Sequence, residues 1–134
     1  TDGGKTFVKQ HGNADGKLFG IALSTSGRGI ATGTSGTTLV TRDGGKSWKE
    51  TKNMSDDTLL KVAFIGPEEA IAVGLRGAVM RTKDGGDTWS PVSVPGHYTW
   101  LSGLAASGAL YAVGNAGTIL SGVDRGNVWK RLGI

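Results

Sequence analysis

One hexapeptide constrains this chain more than any other feature. Asp2-Gly3-Gly4-Lys5-Thr6-Phe7 returns as Asp43-Gly44-Gly45-Lys46-Ser47-Trp48 and as Asp84-Gly85-Gly86-Asp87-Thr88-Trp89. A degraded copy is Asp124-Arg125-Gly126-Asn127-Val128-Trp129. The aspartates are 41, 41 and 40 residues apart. Ile30-Ala31-Thr32-Gly33, Ile71-Ala72-Val73-Gly74 and Tyr111-Ala112-Val113-Gly114 keep the same period, each with a glycine three residues on (Gly36, Gly77, Gly117). A third anchor aligns Leu18-Phe19, Leu59-Leu60 and Trp100-Leu101. Three registers sharing one period define a repeat architecture rather than a single irregular domain.

Each repeat holds four short strand candidates, a to d. Strand a covers 18–24, 59–65 and 100–106; strand b covers 28–33, 69–74 and 109–114. Strand c covers 37–42, 78–83 and 118–123; strand d covers 47–52, 88–93 and 128–132. The b strands are apolar at nearly every position, as strands buried on both faces must be. The d strands alternate (Trp48 then Lys49, Trp89 then Ser90, Trp129 then Lys130), and Pro91 lies in one of them, which suits an outer edge. Four strands per unit at a period near 40 predict an all-β fold of propeller blades packed face to face. The 134 residues then read as one propeller segment. Residues 1–17 supply an extra N-terminal outer strand and a linker; 18–52, 59–93 and 100–132 are three complete four-stranded antiparallel blades.

Composition agrees. Glycine supplies 24 residues and proline only 3, so the glycines serve turns between short strands. No run approaches the roughly 20 apolar residues of a membrane helix, so no membrane insertion is expected. The net charge of +4 comes from basic residues scattered along the chain, without the block that would mark a nucleic-acid arm. There is no cysteine, hence no disulfide and no thiolate metal site.

The repeated box sits where strand c must reverse into strand d. There an aspartate can accept hydrogen bonds from turn N–H groups, and glycine permits positive φ. A Ser or Thr hydroxyl adds a local bond, and the aromatic opens strand d with a large apolar surface. Asp2, Asp43, Asp84 and Asp124, with Trp48, Trp89 and Trp129, are therefore read as structural. One carboxylate per blade is spread around a ring and does not converge on a substrate. The box weakens at both ends: Phe7 replaces Trp, and Arg125 and Val128 replace Gly and Ser/Thr, so the last hairpin should be looser.

The run Ala-Val-Gly-x-x-Gly, a short apolar strand, then Thr-x-Asp-Gly-Gly-x-Thr-Trp, best seen from Ile71 to Trp89, resembles the Asp-box (BNR) repeat. It is closest to the photosystem II stability and assembly factor-like propellers, and the resemblance covers nearly the whole chain. It implies a seven-bladed, non-enzymatic scaffold that binds a partner protein on the periplasmic, thylakoid-lumenal or extracellular side. Asp boxes also occur in sialidases and other glycoside hydrolases, so the repeat specifies fold better than function.

Blade topology puts the boxes and a–b turns on one face, and the b–c turns and d–a connections on the other. The second face collects His11, Asn13, Asp15, Ser35, Asp56, Asp57, Arg76, His97, Tyr98 and Asn115. Of these, His11, Asp15, Asp56, Asp57, Arg76, His97 and Tyr98 form the candidate partner-binding set. The d–a connections are the longest loops, where binding residues concentrate. Arg76 stands where Ser35 and Asn115 stand in the other repeats, a candidate carboxylate or phosphate contact set against an ordinary solvated turn. His97-Tyr98-Thr99-Trp100 is the one aromatic-dense loop; Trp100 aligns with Leu59 and Leu18 and reads as core. The doublet Glu68-Glu69 follows Pro67 in a short turn, and adjacent side chains there point apart, so a solvated turn is preferred to acid–base chemistry.

The function expected is a non-catalytic protein-binding or assembly scaffold with no catalytic, cofactor or metal residues. The competing class is a carbohydrate-binding or sialidase-like hydrolase propeller. Against the hydrolase, no arginine lies in an Arg-Ile-Pro motif, and of the two tyrosines Tyr111 belongs to a b strand. A protein partner is expected, with a glycan as the second partner class and no nucleic acid. Propellers close with about 4–8 blades, so three would leave two apolar end faces open. Either the chain is part of a longer one or copies associate, and a lone three-bladed monomer should be poorly soluble.

Overall fold

In the computed structural model, residues 2–9, 16–52 and 55–133 are described. They form twelve strands in three four-stranded antiparallel sheets, with each sheet in sequence order. The first blade is β1 (Leu18–Leu23), β2 (Gly29–Gly33), β3 (Thr37–Thr41) and β4 (Lys49–Lys52). The second is β5 (Leu59–Phe64), β6 (Ala70–Gly74), β7 (Val79–Thr82) and β8 (Ser90–Pro91). The third is β9 (Leu101–Ala106), β10 (Leu110–Gly114), β11 (Thr118–Val123) and β12 (Val128–Arg131). All four strand positions fall where the repeat puts them, and Pro91 closes the shortest outer strand, where a missing N–H breaks no ladder.

The blades stack through their inner and middle strands. Ile30 and Val40 of the first blade pack with Leu59, Val62, Ala72, Met80 and Trp89 of the second. Ile71, Val73 and Val79 of the second pack with Leu101, Leu110, Ala112, Leu120 and Trp129 of the third. Trp89 and Trp129 thus each cover the blade before their own. β2 and β6 are buried at every position, whereas β10 alternates, its Tyr111 and Val113 being exposed among the described residues.

Charged pairs cross the same two junctions. Arg28 Nη2 lies 2.8 Å from Glu68 Oε1, and Arg42 pairs with Asp87. Glu69 receives Arg81 from its own blade at 2.6 Å and Arg125 from the next at 2.6 Å. The glutamate doublet is therefore two inter-blade staples, one reaching back and one forward, rather than a solvated turn.

Two expectations are corrected. Residues 2–9 form the Asp2 turn but no strand; Phe7 is 91% exposed. The third anchor also moves by one residue. Gly33, Gly74 and Gly114 pair with Leu18, Leu59 and Leu101, so Trp100 corresponds to Thr58 and Lys17. The carbonyls of these three accept the N–H groups of Thr34 (2.9 Å), Leu75 (2.9 Å) and Asn115 (3.3 Å). By the same register Arg76 matches Ser35 and Ala116, all at positive φ, and not Asn115.

Candidate functional site

The boxes do what their residue types predict. Asp43 accepts the Ser47 N–H (2.9 Å), the Ser47 hydroxyl (2.5 Å) and the Thr41 hydroxyl (2.8 Å). Asp84 repeats the arrangement with Thr88 and Thr82. In both, the threonine hydroxyl then accepts a box glycine N–H at 2.9 Å. Donation from the Ser47 hydroxyl and N–H and from Thr41 holds the Asp43 carboxyl at about 2. Burial raises the Asp84 carboxyl, but the Thr88 and Thr82 bonds outweigh it and the net direction is down. Asp2 is lowered too, first by the Thr6 hydroxyl. These carboxylates are saturated by local donors and poorly suited to hold a substrate. Among the described residues no cluster of three or more His, Cys, Asp or Glu is placed to hold a metal ion.

The fourth box departs from the pattern. Gly122 and Val128 stand where the second and third boxes have Thr and Ser/Thr, so the Asp124 carboxylate gains none of these bonds. Asp124 and Arg125 instead take positive φ in a short 3-10 turn. The hairpin keeps its tryptophan: Trp129 Nε1 donates to the Gly126 carbonyl at 2.9 Å, as Trp89 does to Gly86 at 3.0 Å.

The two faces are organised as topology predicts. On the box face, Gly44 N–H donates to Gly27 O (2.9 Å) and Gly85 N–H to Glu68 O (2.7 Å), tying the second and third boxes to their a–b turns. This face also carries a cleft of about 450 Å³ lined by Phe64, Ile65, Leu110, Val123 and Arg125. On the opposite face, Gly36 N–H donates to Asp57 O (3.1 Å) and Arg76 N–H to Thr99 O (2.8 Å), tying b–c turns to d–a connections.

That second face brings some candidates together and separates others. Asp57 accepts Arg76 Nε at 2.6 Å and the Ser55 hydroxyl at 2.7 Å, while Arg76 remains 75% exposed. Asp56 and His97 are exposed; His11 and Asp15, with Asn13, lie outside the described residues. Tyr98 is not a surface residue. It is buried in the core between the second and third blades, packs over Gly77, and donates its hydroxyl to the Pro95 carbonyl.

Trp100, read as core, is 43% exposed and bridges to Leu75, itself 40% exposed. Sequence reasoning missed this apolar pair. A signal existed: Thr34 Oγ1 accepts Lys17 N–H (3.0 Å) and Asn115 Oδ1 accepts Thr99 N–H (3.0 Å), whereas Leu75 at the same turn position accepts nothing. An apolar residue replacing two polar turn caps is left for contact with something else.

The sequence profile of the family described as photosynthesis system II assembly factor YCF48 matches residues 5–132. The chain belongs to that family. Solved structures agree. YCF48 from Cyanidioschyzon merolae superposes with a TM-score of 0.72 at 25% identity, covering 91% of this chain and 41% of that one. YCF48 bound to D1 peptide gives 0.71 at 25% identity, covering 89% and 41%. An ancestral GH74 enzyme gives 0.70 at 18% identity, covering 88% and 20%, and shares the fold alone. The chain thus spans about two fifths of the length of the YCF48 structures it matches. No curated protein sequence matches it.

Proposed function

We propose that this YCF48-family chain is a non-catalytic scaffold that binds an extended segment of a partner protein on the face of b–c turns and d–a connections. The carrying observation is the half-exposed Leu75–Trp100 pair beside Arg76. An aromatic and an aliphatic side chain offer an apolar seat, and interfaces favour such anchors with an arginine at the rim. Arg76 Nε and Nη2 are spent on Asp57, which fixes the guanidinium and leaves Nη1 for a partner carboxylate or carbonyl. The family relative solved with a D1 peptide supports a photosystem II subunit as the kind of partner. The thylakoid lumen, among the periplasmic, lumenal and extracellular options, is the compartment that fits such a role.

The absence of enzymatic activity belongs to the same reading. The Asp2, Asp43 and Asp84 carboxylates are committed to their turns, and Glu68 and Glu69 to arginines. Titrating the chain with a D1 peptide, followed by tryptophan fluorescence, tests the proposal. Wild type binds, and Trp100→Ala and Arg76→Ala each weaken binding tenfold or more. No binding by wild type, or equal binding by both variants, rejects it.

A further inference from the structure

We propose that the cleft on the box face, between the second and third blades, binds an uncharged proline-containing segment of a partner protein, whose backbone carbonyl accepts the Arg125 N–H.

The cleft exists because one turn is short. Between strands a and b the first blade has residues 24–28 and the second 65–69, but the third has only 107–109. The closing bonds differ accordingly. Ser24 N–H donates to Arg28 O and Ile65 N–H to Glu69 O, each at 2.8 Å, whereas Ser107 N–H donates to Ala109 O at 3.1 Å. At the first junction the longer turn fills the space between blades. Pro67 O accepts the Ser26 hydroxyl at 3.2 Å, and Glu68 O accepts the Gly85 N–H at 2.7 Å. At the second junction nothing corresponds to Pro67 and Glu68. The cleft of about 450 Å³ lies there, between Phe64 and Ile65 of the second blade and Leu110 and Gly126 of the third. These two blades pack on each other within the chain, and Ile65 touches the core that contains Leu110.

The short turn also leaves box donors without partners. Gly44 and Gly85 N–H reach a–b turn carbonyls, and Gly45 and Gly86 N–H reach the Thr41 and Thr82 hydroxyls at 2.9 Å. Arg125 and Gly126 hold these positions in the fourth box. No a–b turn carbonyl reaches Arg125 N–H, and Gly122 brings no hydroxyl to Gly126 N–H, so neither has an acceptor among the described residues. Gly126 is buried, where an unpaired N–H is costly and rare. Both residues line the cleft.

The occupant's chemistry follows from what fills the first junction. A proline ring suits the apolar walls of Phe64 and Ile65, and a carbonyl meets Arg125 N–H as Glu68 O meets Gly85 N–H. The fixed φ of proline leaves less freedom to lose on binding. Charge selects against an acidic segment. Glu68 faces Arg28 at the first junction, but the residue in the place of Arg28 in the second blade is Glu69, already held by Arg81 and Arg125. Arg81, Arg125, Glu69 and Asp124 sum to zero, so an uncharged segment leaves no ion unpaired. The site lies on the face opposite Leu75 and Trp100 and does not rest on the binding proposed there.

The probe is the blocked tripeptide acetyl-Gly-Pro-Ala-amide, titrated into the isotope-labelled chain and followed by two-dimensional amide NMR. The Arg125 and Gly126 amide protons should move downfield and saturate, and the proline ring should show a nuclear Overhauser contact to Ile65. Acetyl-Gly-Pro-Glu-amide should bind about two- to fivefold more weakly. Inserting Gly-Pro between Ser107 and Gly108 restores the turn length and should abolish the shifts. If that variant loses cooperative melting, the Ile65 contact in wild type carries the same test. Trp100→Ala should leave the titration unchanged. Arg125 and Gly126 amides unmoved at the solubility limit of the peptide, no contact to Ile65, equal affinity for the acidic peptide, or undiminished binding by the folded insertion variant would overturn the proposal.

Discussion

Glu69 and Arg125 stand 56 residues apart in the chain and meet across two blades, Nη2 to Oε1 at 2.6 Å and Nε to Oε2 at 3.0 Å. The same carboxylate holds Arg81, whose side chain is 7% exposed and whose Nε donates to the Arg125 carbonyl at 2.9 Å. The Arg125 hydrogen bonds, with the charges of Arg125 and Arg81, lower the Glu69 carboxyl below its usual range, and Glu69 raises the Arg125 guanidinium. One glutamate thus joins the second blade to the third.

Glu69→Ala should leave the buried Arg81 guanidinium short of a partner and cost about 1–3 kcal/mol in urea unfolding. Arg125→Ala removes a mostly exposed partner and should cost less. Equal losses would show that Arg81 is not the group that suffers.

Acid should act through the boxes. Asp43 is held at about 2 against an ordinary 3.8. Its folded value is depressed, so its contribution is fully present above the unfolded value and is lost as pH falls through about 2. Melting temperature should drop across that window, and less so in Asp43→Asn. Asp124→Asn should stay within about 0.5 kcal/mol of wild type at neutral pH, because no box bond is lost and Asn tolerates positive φ equally.

Tyr98 and Trp100 should separate cleanly. Tyr98→Ala empties a core site between blades and should cost about 3 kcal/mol. Trp100→Ala should hold its melting temperature within a few degrees while losing peptide binding. Differential scanning fluorimetry beside the titration reads both.

Thr32 should be improvable. Its hydroxyl is buried and lacks a hydrogen-bond partner among the described residues, while the matching residues are Val73 and Val113. Thr32→Val keeps the shape and removes the unsatisfied group, and should add about 1 kcal/mol in chemical denaturation.

The sequence by itself determined the blades. The spacing of Asp43, Asp84 and their tryptophans fixed the repeat, and the hydrogen bonds that make an Asp box are local, spanning four residues, so composition and order suffice to specify them. It also fixed which turns share a face, because antiparallel strands joined in order leave no other choice. Only the tertiary structure decided which residues on those faces are available. The connection from Trp89 to Leu101 is one residue longer than that from Trp48 to Leu59, which left Trp100 at the surface ahead of the inner strand, while Tyr98, two residues earlier, took a buried place. The pairing of Glu68 and Glu69 with arginines of different blades depends on contacts between repeats. Such contacts bring together residues 40 or more apart, and no local pattern in the chain records them.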